Sequence, residues 1–202
     1  MKKLLLFSAT LALTTVLTGS AVRAAGLNRS SDEIALWNGP SPGLGIIVYT
    51  IDLDQGRGTR IHRVYEGINV GTPDYLFNDR HFFNGLNRAD PLYTFSSNGE
   101  RIYAGATVAG EPVYFLQPIG EGIRVHRGPN NKGTILYTFF QNRVYAGANT
   151  LGTIVLSTDS NLLEQDAPVI QVITILLEMA PRAEEPETVD ALRGVSLQRT
   201  KR

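Results

Sequence analysis

One short pattern recurs six times along this chain of 202 residues and restricts its fold more than any other feature. In each copy an apolar residue, a ring, one variable residue and a glycine follow one another. The glycines are Gly39, Gly67, Gly85, Gly105, Gly128 and Gly147. The rings two places before them are Trp37, Tyr65, Phe83, Tyr103, His126 and Tyr145. Internal repetition of this kind predicts one small supersecondary unit that the chain uses repeatedly.

Each unit contains two short segments rich in β-branched and aromatic residues, a composition typical of strands. The first segment carries the glycine pattern behind a basic residue, as in RIYAG at residues 101–105. The second is an apolar run such as LYTF at residues 92–95. Asn, Asp and Gly residues between the segments permit tight hairpins. We therefore expect an all-β domain of about twelve short antiparallel strands from six tandem hairpin repeats.

The spacing of the repeats bears on how the hairpins are arranged. Successive glycines are 28, 18, 20, 23 and 19 residues apart. The coils of a solenoid stack on one another and favour a constant length, whereas loops of variable length suit a closed meander. We expect a closed, pseudo-symmetric meander of the trefoil, prism or propeller type. A β-solenoid is the alternative.

Composition divides the chain into five parts. Residues 1–24 resemble a secretory signal peptide, because Lys2 and Lys3 precede the apolar stretch 4–17 and small residues follow. Residues 25–34 form a polar linker, 35–158 the repeat domain and 159–180 an apolar segment. Residues 181–202 are polar, and we expect a disordered tail. The protein is thus predicted to be exported, to the periplasm or outside the cell, with the signal either cleaved or retained as an anchor.

The segment 159–180 departs from the repeat. Apolar residues between Val169 and Leu177 are spaced as on a wide helical face, although their β-branched content also suits a strand. We favour a helix that begins at Asp166 or Pro168, ends at Met179 and covers an open end of the β domain. A partner-binding or membrane-active helix is the alternative. Because the stretch from Val169 to Leu177 has almost no charge, we expect it to be buried in this chain.

Charge and cysteine content exclude several classes of function. Residues 1–24 contain three basic residues and no acid, so the remainder carries 16 basic and 19 acidic residues, a net charge of −3. No nucleic-acid partner is expected, since that requires a concentrated basic face. The repeat region contains no run of like charge, so we expect no charged patch that would bind a membrane surface. The lack of cysteine excludes thiol nucleophiles and thiolate metal sites.

No catalytic motif is found in the sequence. The three histidines stand outside any metal-binding spacing, no nucleophile elbow occurs, and the glycines follow no nucleotide-binding pattern. We therefore expect no cofactor, no metal and no enzymatic activity. A small extracytoplasmic hydrolase remains as the alternative, with carboxylates supplied by loops. Its candidate residues are Asp52, Asp54, Asp74, Asp79 and Asp90.

The aromatic content suggests how the domain could bind a partner. All eight tyrosines lie in the predicted strands. Rings that face outward could stack on sugars or extended peptides, and Trp37, Tyr65, Tyr103 and Tyr145 are the candidates. Rings that pack in the core are the alternative. We hypothesise a structural or interaction module that binds a protein, a glycan or an envelope component through the repeat domain.

The motifs RIYAGAT (101–107), RVYAGAN (143–149) and LYTF (92–95 and 136–139) resemble those of a loose group of uncharacterised bacterial proteins. These carry short tandem β-repeats of the form [KR]-[IV]-Y-x-G…L-Y-T. The resemblance covers roughly residues 35–158, and the first two units depart from it. It implies the repeat alone, with no activity, cofactor or site residue.

Overall fold

The computed structural model describes residues 32–54 and 60–180. The strands are β1 (Glu33–Asn38), β2 (Ile46–Asp52), β3 (His62–Glu66), β4 (Tyr75–Phe77), β5 (His81–Asn84), β6 (Pro91–Phe95), β7 (Arg101–Ala104), β8 (Tyr114–Ile119), β9 (Gly122–Arg127), β10 (Ile135–Phe140), β11 (Arg143–Ala146) and β12 (Ile154–Thr158). A 3-10 turn (Leu162–Glu164) and one helix, α1 (Ala167–Met179), follow. The predicted signal segment and tail lie outside the described residues.

The twelve strands form one closed sheet. Each strand pairs antiparallel with its neighbour in the chain, and β1 pairs with β12 to complete the ring. The expected closed meander of about twelve strands is confirmed, in the form of an up-and-down barrel. Its first strand starts at Glu33, so the last two residues of the predicted linker belong to the sheet.

The barrel interior is lined by one repeated set of side chains. Alternate residues of a strand face opposite sides of a sheet, and every strand places at least one large apolar residue inward. These residues are Leu36, Ile51, Val64, Phe77, Phe82, Phe95, Ile102, Leu116, Val125, Phe139, Val144 and Leu156. The apolar residue of each glycine pattern belongs to this set, which explains why that position of the repeat is always apolar.

Helix α1 lies inside the barrel. Its bounds agree with the predicted ones. Its position differs from the prediction, which placed the helix over an open end of the β domain. Residues 169–176 are all buried and share one core with side chains from every strand. A helix that is buried on every face is a core helix. Eight strands close around an interior that side chains can fill, so twelve leave room for this thirteen-residue helix.

Candidate binding surface at one end of the barrel

The antiparallel order sorts the connections between two ends of the barrel. Every odd-numbered strand leads into the next even-numbered strand at the same end, which we call the glycine end because each connection there starts with a repeat glycine. The six loops are 39–45, 67–74, 85–90, 105–113, 128–134 and 147–153. We call the opposite end the hairpin end. Helix α1 begins at the hairpin end and finishes at the glycine end, where Glu178 reaches Tyr137.

The repeat glycines are required by backbone conformation. All six have a positive φ, between 54° and 130°. At Gly105 the angle is 81°, and a Cβ placed there would meet no atom within 4 Å from any residue beyond its two chain neighbours. Glycine is therefore required at this position by the left-handed turn that ends the strand, and not by crowding from other residues. The repeat thus marks the point at which each odd strand leaves the barrel wall.

A hydroxyl fixes this turn in alternate units. Thr50, Thr94 and Thr138 each donate a hydrogen bond of 2.7 Å to the carbonyl oxygen of the repeat glycine on the next strand. The accepting residues are Gly67, Gly105 and Gly147. Because this bond recurs every four strands, the barrel has an approximate three-fold symmetry in addition to its six repeats.

Asparagines close the loops that follow. The side-chain oxygens of Asn87, Asn130 and Asn149 accept hydrogen bonds of 2.9–3.0 Å from backbone N–H groups two residues on. These Asx turns account for three of the four asparagines that stand two places after the repeat glycines. The fourth, Asn69, donates a hydrogen bond to the Glu33 carboxylate. The residues therefore shape the loops and are not a row of ligand-binding side chains.

Three of the four predicted binding rings are covered. Trp37, Tyr65 and Tyr145 face away from the barrel interior but are only 7% exposed each. Stacking on a sugar or a peptide needs an open ring face, which these three do not offer. Tyr103 is partly exposed, and a binding role for it stays a prediction. His126 at the same repeat position is buried and bonded through its ring to Gln117.

The other five tyrosines face inward and form a collar at the glycine end. They come from successive even strands: Tyr49, Tyr75, Tyr93, Tyr114 and Tyr137. Each is partly buried and packs against the core. Burial is the main cause that raises the phenol pKa of Tyr49, Tyr75 and Tyr93. In the sixth unit, the residue that pairs with β11 at the equivalent place is Leu156.

Glu178, near the end of α1, joins the helix to this collar. Its carboxylate lies 2.6 Å from Nη2 of Arg127 and accepts a hydrogen bond of 2.8 Å from the Tyr137 hydroxyl. The Glu178 side chain is 7% exposed, and that of Arg127 is 54% exposed. Burial, followed by the charge of Glu178, raises the pKa of Tyr114 to about 12. The carboxylate is thus held by fixed partners and anchors the helix.

An apolar cleft opens beside the collar. It has a volume of about 630 Å³ and lies between the last turns of α1 and strands β1, β2 and β12. Ile173, Leu176 and Leu177 line it from the helix, and Leu36 and Leu156 from the barrel wall. Polar groups at its edge include Tyr49, Tyr137 and Glu66. The cleft therefore lies next to the one collar position that has no ring.

The glycine end also carries an apolar rim. Eight large apolar side chains of the described residues are exposed, and all eight lie at this end. They are Leu44, Ile46, Ile68, Val70, Leu86, Val108, Leu151 and Met179. Five of the six loops contribute at least one of them; loop 128–134 does not. Leu151 is 93% exposed and Leu44 is 81% exposed, so the rim has nothing packed on it within the described chain.

The candidate carboxylates of a hydrolase do not converge. Asp52, Asp54 and Asp79 lie towards the hairpin end, whereas Asp74 and Asp90 lie in loops of the glycine end. Asp52 is bound to Arg63 at 3.3 Å. Among residues 32–54 and 60–180 there is no group of three side chains able to hold a metal ion.

Comparison of the chain with protein-family models, with curated proteins and with solved structures gives no match. Within the described part of the chain, no helix is both long enough and apolar enough to span a bilayer. Fold and surface together define a class: a twelve-stranded antiparallel barrel closed around its own C-terminal helix, with an apolar rim at one end.

Proposed function

We propose that the protein is an interaction module that acts outside the cytoplasm and binds an envelope component or a protein through its glycine end. Among residues 32–54 and 60–180, all eight exposed large apolar side chains lie at this end, and this location carries the proposal. Single exposed apolar residues are normal on a protein surface, but a concentration of them marks an interaction site. The hairpin end, in contrast, is formed by polar turns such as 96–100 and 78–80.

The architecture supports a binding role because it holds the rim rigidly. Each rim loop starts at a glycine turn, and two of them, 85–90 and 147–153, are closed by an Asx turn. Loops ordered in advance lose little conformational entropy when they bind. The cleft of about 630 Å³ beside Leu156 adds an apolar cavity within the size range of ligand sites.

No observation favours the hydrolase alternative. Its five candidate carboxylates are divided between the two ends of the barrel. Glu66 is the one carboxylate that lines the cleft. Glu178, in the collar nearby, is already paired with Arg127 and bonded to Tyr137. A glycosidase needs two carboxyl groups facing one bond.

Site-specific photocrosslinking in cells tests the proposal. A photoreactive phenylalanine analogue replaces Leu44 or Leu151 at the glycine end, and Ser97 or Glu121 in exposed turns of the hairpin end as matched controls. We expect adducts, of lipid or protein, from the first pair and none from the second. Adducts from the control positions alone, or equally from all four, would assign the contact elsewhere.

A further inference from the structure

We propose that the partner of the glycine end is the surface of a lipid bilayer with little net charge, into which the rim side chains insert. The barrel axis then points towards the membrane, and the hairpin end points away. This inference rests on the proposed function and names the partner that the same surface takes. Four properties of the glycine end support it: its side-chain chemistry, its shape, its charge and the collar beneath it.

The rim consists of aliphatic side chains and one methionine. Protein interfaces draw their binding energy from tyrosine, tryptophan and arginine, whereas leucine and valine are under-represented among the residues that matter most. Aliphatic chains have no directional partner to find and gain free energy from any apolar medium. The composition of the rim therefore suits acyl chains better than a protein surface.

The rim is a ring and not a patch. Its residues come from five loops distributed around the barrel mouth, from Ile46 at the start of β2 and from Met179 at the end of the central helix. A flat and deformable partner can touch all of these loops at once. A folded protein would need a matching ring of pockets, which is a more demanding requirement for shape complementarity.

The charge of the loops selects the kind of bilayer. The six loops contain two basic residues, Arg88 and Lys132, and three acidic residues, Asp74, Asp90 and Glu111, a net charge of −1. Attraction to anionic lipid requires clustered basic residues, which these loops lack. Loops 39–45 and 147–153 contain no charged residue at all. Insertion therefore depends on apolar contact and is deepest at these two loops.

The tyrosine collar lies just inside the rim. Tyrosine is enriched at membrane–water interfaces because its ring is apolar and its hydroxyl is polar. The cleft is lined by Asn38 and Thr153, which border the two uncharged loops, so its opening lies at the most apolar part of the rim. Ile46, Leu151 and Met179 are exposed rim residues within two positions of cleft-lining residues along the chain.

Vesicle flotation tests the inference. The chain from residue 25 onward is used, because the apolar stretch 4–17 would itself partition into vesicles and the barrel starts only at Glu33. The probes are vesicles of dioleoylphosphatidylcholine alone, and a four-to-one mixture with dioleoylphosphatidylglycerol. Binding is measured at low and at high salt. The rim variant carries Leu44→Ser, Ile68→Ser, Leu86→Ser and Leu151→Ser.

The matched control has Thr107→Ser, Asn131→Ser and Thr150→Ser, which are exposed polar positions in the same set of loops. We expect the parent and control chains to float with neutral vesicles at both salt concentrations. The partition coefficient of the rim variant should be about a hundredfold lower, because the variant lacks four aliphatic side chains that are each about half inserted. Asn131→Leu places an aliphatic side chain in loop 128–134, the one loop that lacks it, and should bind neutral vesicles severalfold more tightly. This prediction holds even if the rim variant fails to fold.

Several outcomes would overturn the inference. Binding only to vesicles with phosphatidylglycerol, with release by salt, would show an electrostatic contact. Equal flotation of parent and rim variant would place the contact elsewhere. Failure of the parent to float, with protein adducts from Leu44 and Leu151 in cells, would reject the lipid partner and leave the glycine end as the binding surface. Rim-dependent dimers in solution without flotation would assign the rim to a second copy of the chain.

Discussion

The side-chain nitrogen of Gln171, in the middle of the buried helix, lies 3.1 Å from the backbone oxygen of Gly99 and donates a hydrogen bond to it. The same nitrogen is 3.2 Å from the carbonyl of Arg101. Two carbonyl groups at the hairpin end of β7 are thereby paired with the helix. This contact fixes the depth and rotation of α1 inside the barrel, and with them the position of Glu178 at the other end.

Replacing Gln171 with leucine should therefore destabilise the fold. The substitution leaves the partly buried Gly99 carbonyl without this donor, which costs about 1–3 kcal/mol. The Arg101 carbonyl keeps the backbone N–H of Ser96 as a donor. Urea unfolding followed by circular dichroism measures the change, and an unchanged slope with denaturant would show that compactness is preserved. Gln171→Leu as stable as the parent would mean that packing alone positions the helix.

Gly105→Ala should destabilise the fold by about 1–2 kcal/mol, because an L-residue at this left-handed φ brings its Cβ close to the backbone. The free energy of unfolding from chemical denaturation gives the value. Gly105→Asn is the control, since asparagine tolerates this conformation. Equal losses for alanine and asparagine would contradict a purely conformational reason for the glycine.

Thr94→Val removes the hydroxyl that donates to the Gly105 carbonyl and keeps the size of the side chain. We expect a loss of about 1 kcal/mol, whereas Thr94→Ser retains the donor and should lose less. Melting temperatures measured at one pH test this order: Thr94→Val should melt at a lower temperature than Thr94→Ser. The same order should hold at Thr138, whose hydroxyl makes the equivalent bond.

The collar predicts loss of stability in alkali. Burial and the nearby Glu178 raise the pKa of Tyr114 to about 12 in the folded chain, against an ordinary value of 10.0. A raised pKa gives stability that is complete below pH 10 and is lost as the pH rises towards 12. Absorbance at 295 nm records phenolate formation, and circular dichroism records the fold. Tyr114→Phe should reduce the fall in stability between these pH values; an unchanged fall would exclude Tyr114 as its source.

The strands and the closed sheet could be predicted because the repeat gives the same local signals many times. β-branched and aromatic runs between turn residues specify hairpins, and variable loop length argues against stacked coils. The bounds of α1 were likewise readable, from a proline at its start and a wide apolar face.

The sequence predicted a helix buried at an open end of the β domain, whereas the helix is buried inside the barrel. The sequence from Val169 to Leu177 has no polar face towards solvent, and this signal points to burial on every side. What the sequence does not supply is the radius of the closed barrel, which depends on how all twelve strands pair. Only with that radius known does the interior, and not an open end, become the site for the helix.

The apolar rim was not predicted, for a related reason. Sequence reasoning favoured the rings of the repeat, yet neighbouring strands and loops cover Trp37, Tyr65 and Tyr145. The sequence does contain the aliphatic residues of the rim, because five of the six loops that begin at a repeat glycine include at least one of them. The meaning of these residues depends on the antiparallel order, which brings loops far apart in the sequence to one end.

Fluorescence from a single labelled position tests the binding role of the glycine end most directly. The chain contains no cysteine, so one introduced cysteine can be labelled with an environment-sensitive dye. Leu151→Cys reports on the rim, and Ser97→Cys reports on the hairpin end. When isolated envelope membranes are added, we expect a blue shift and brighter emission from position 151 and no change from position 97. A response at position 97, or none at position 151, would contradict the glycine end as the contact surface.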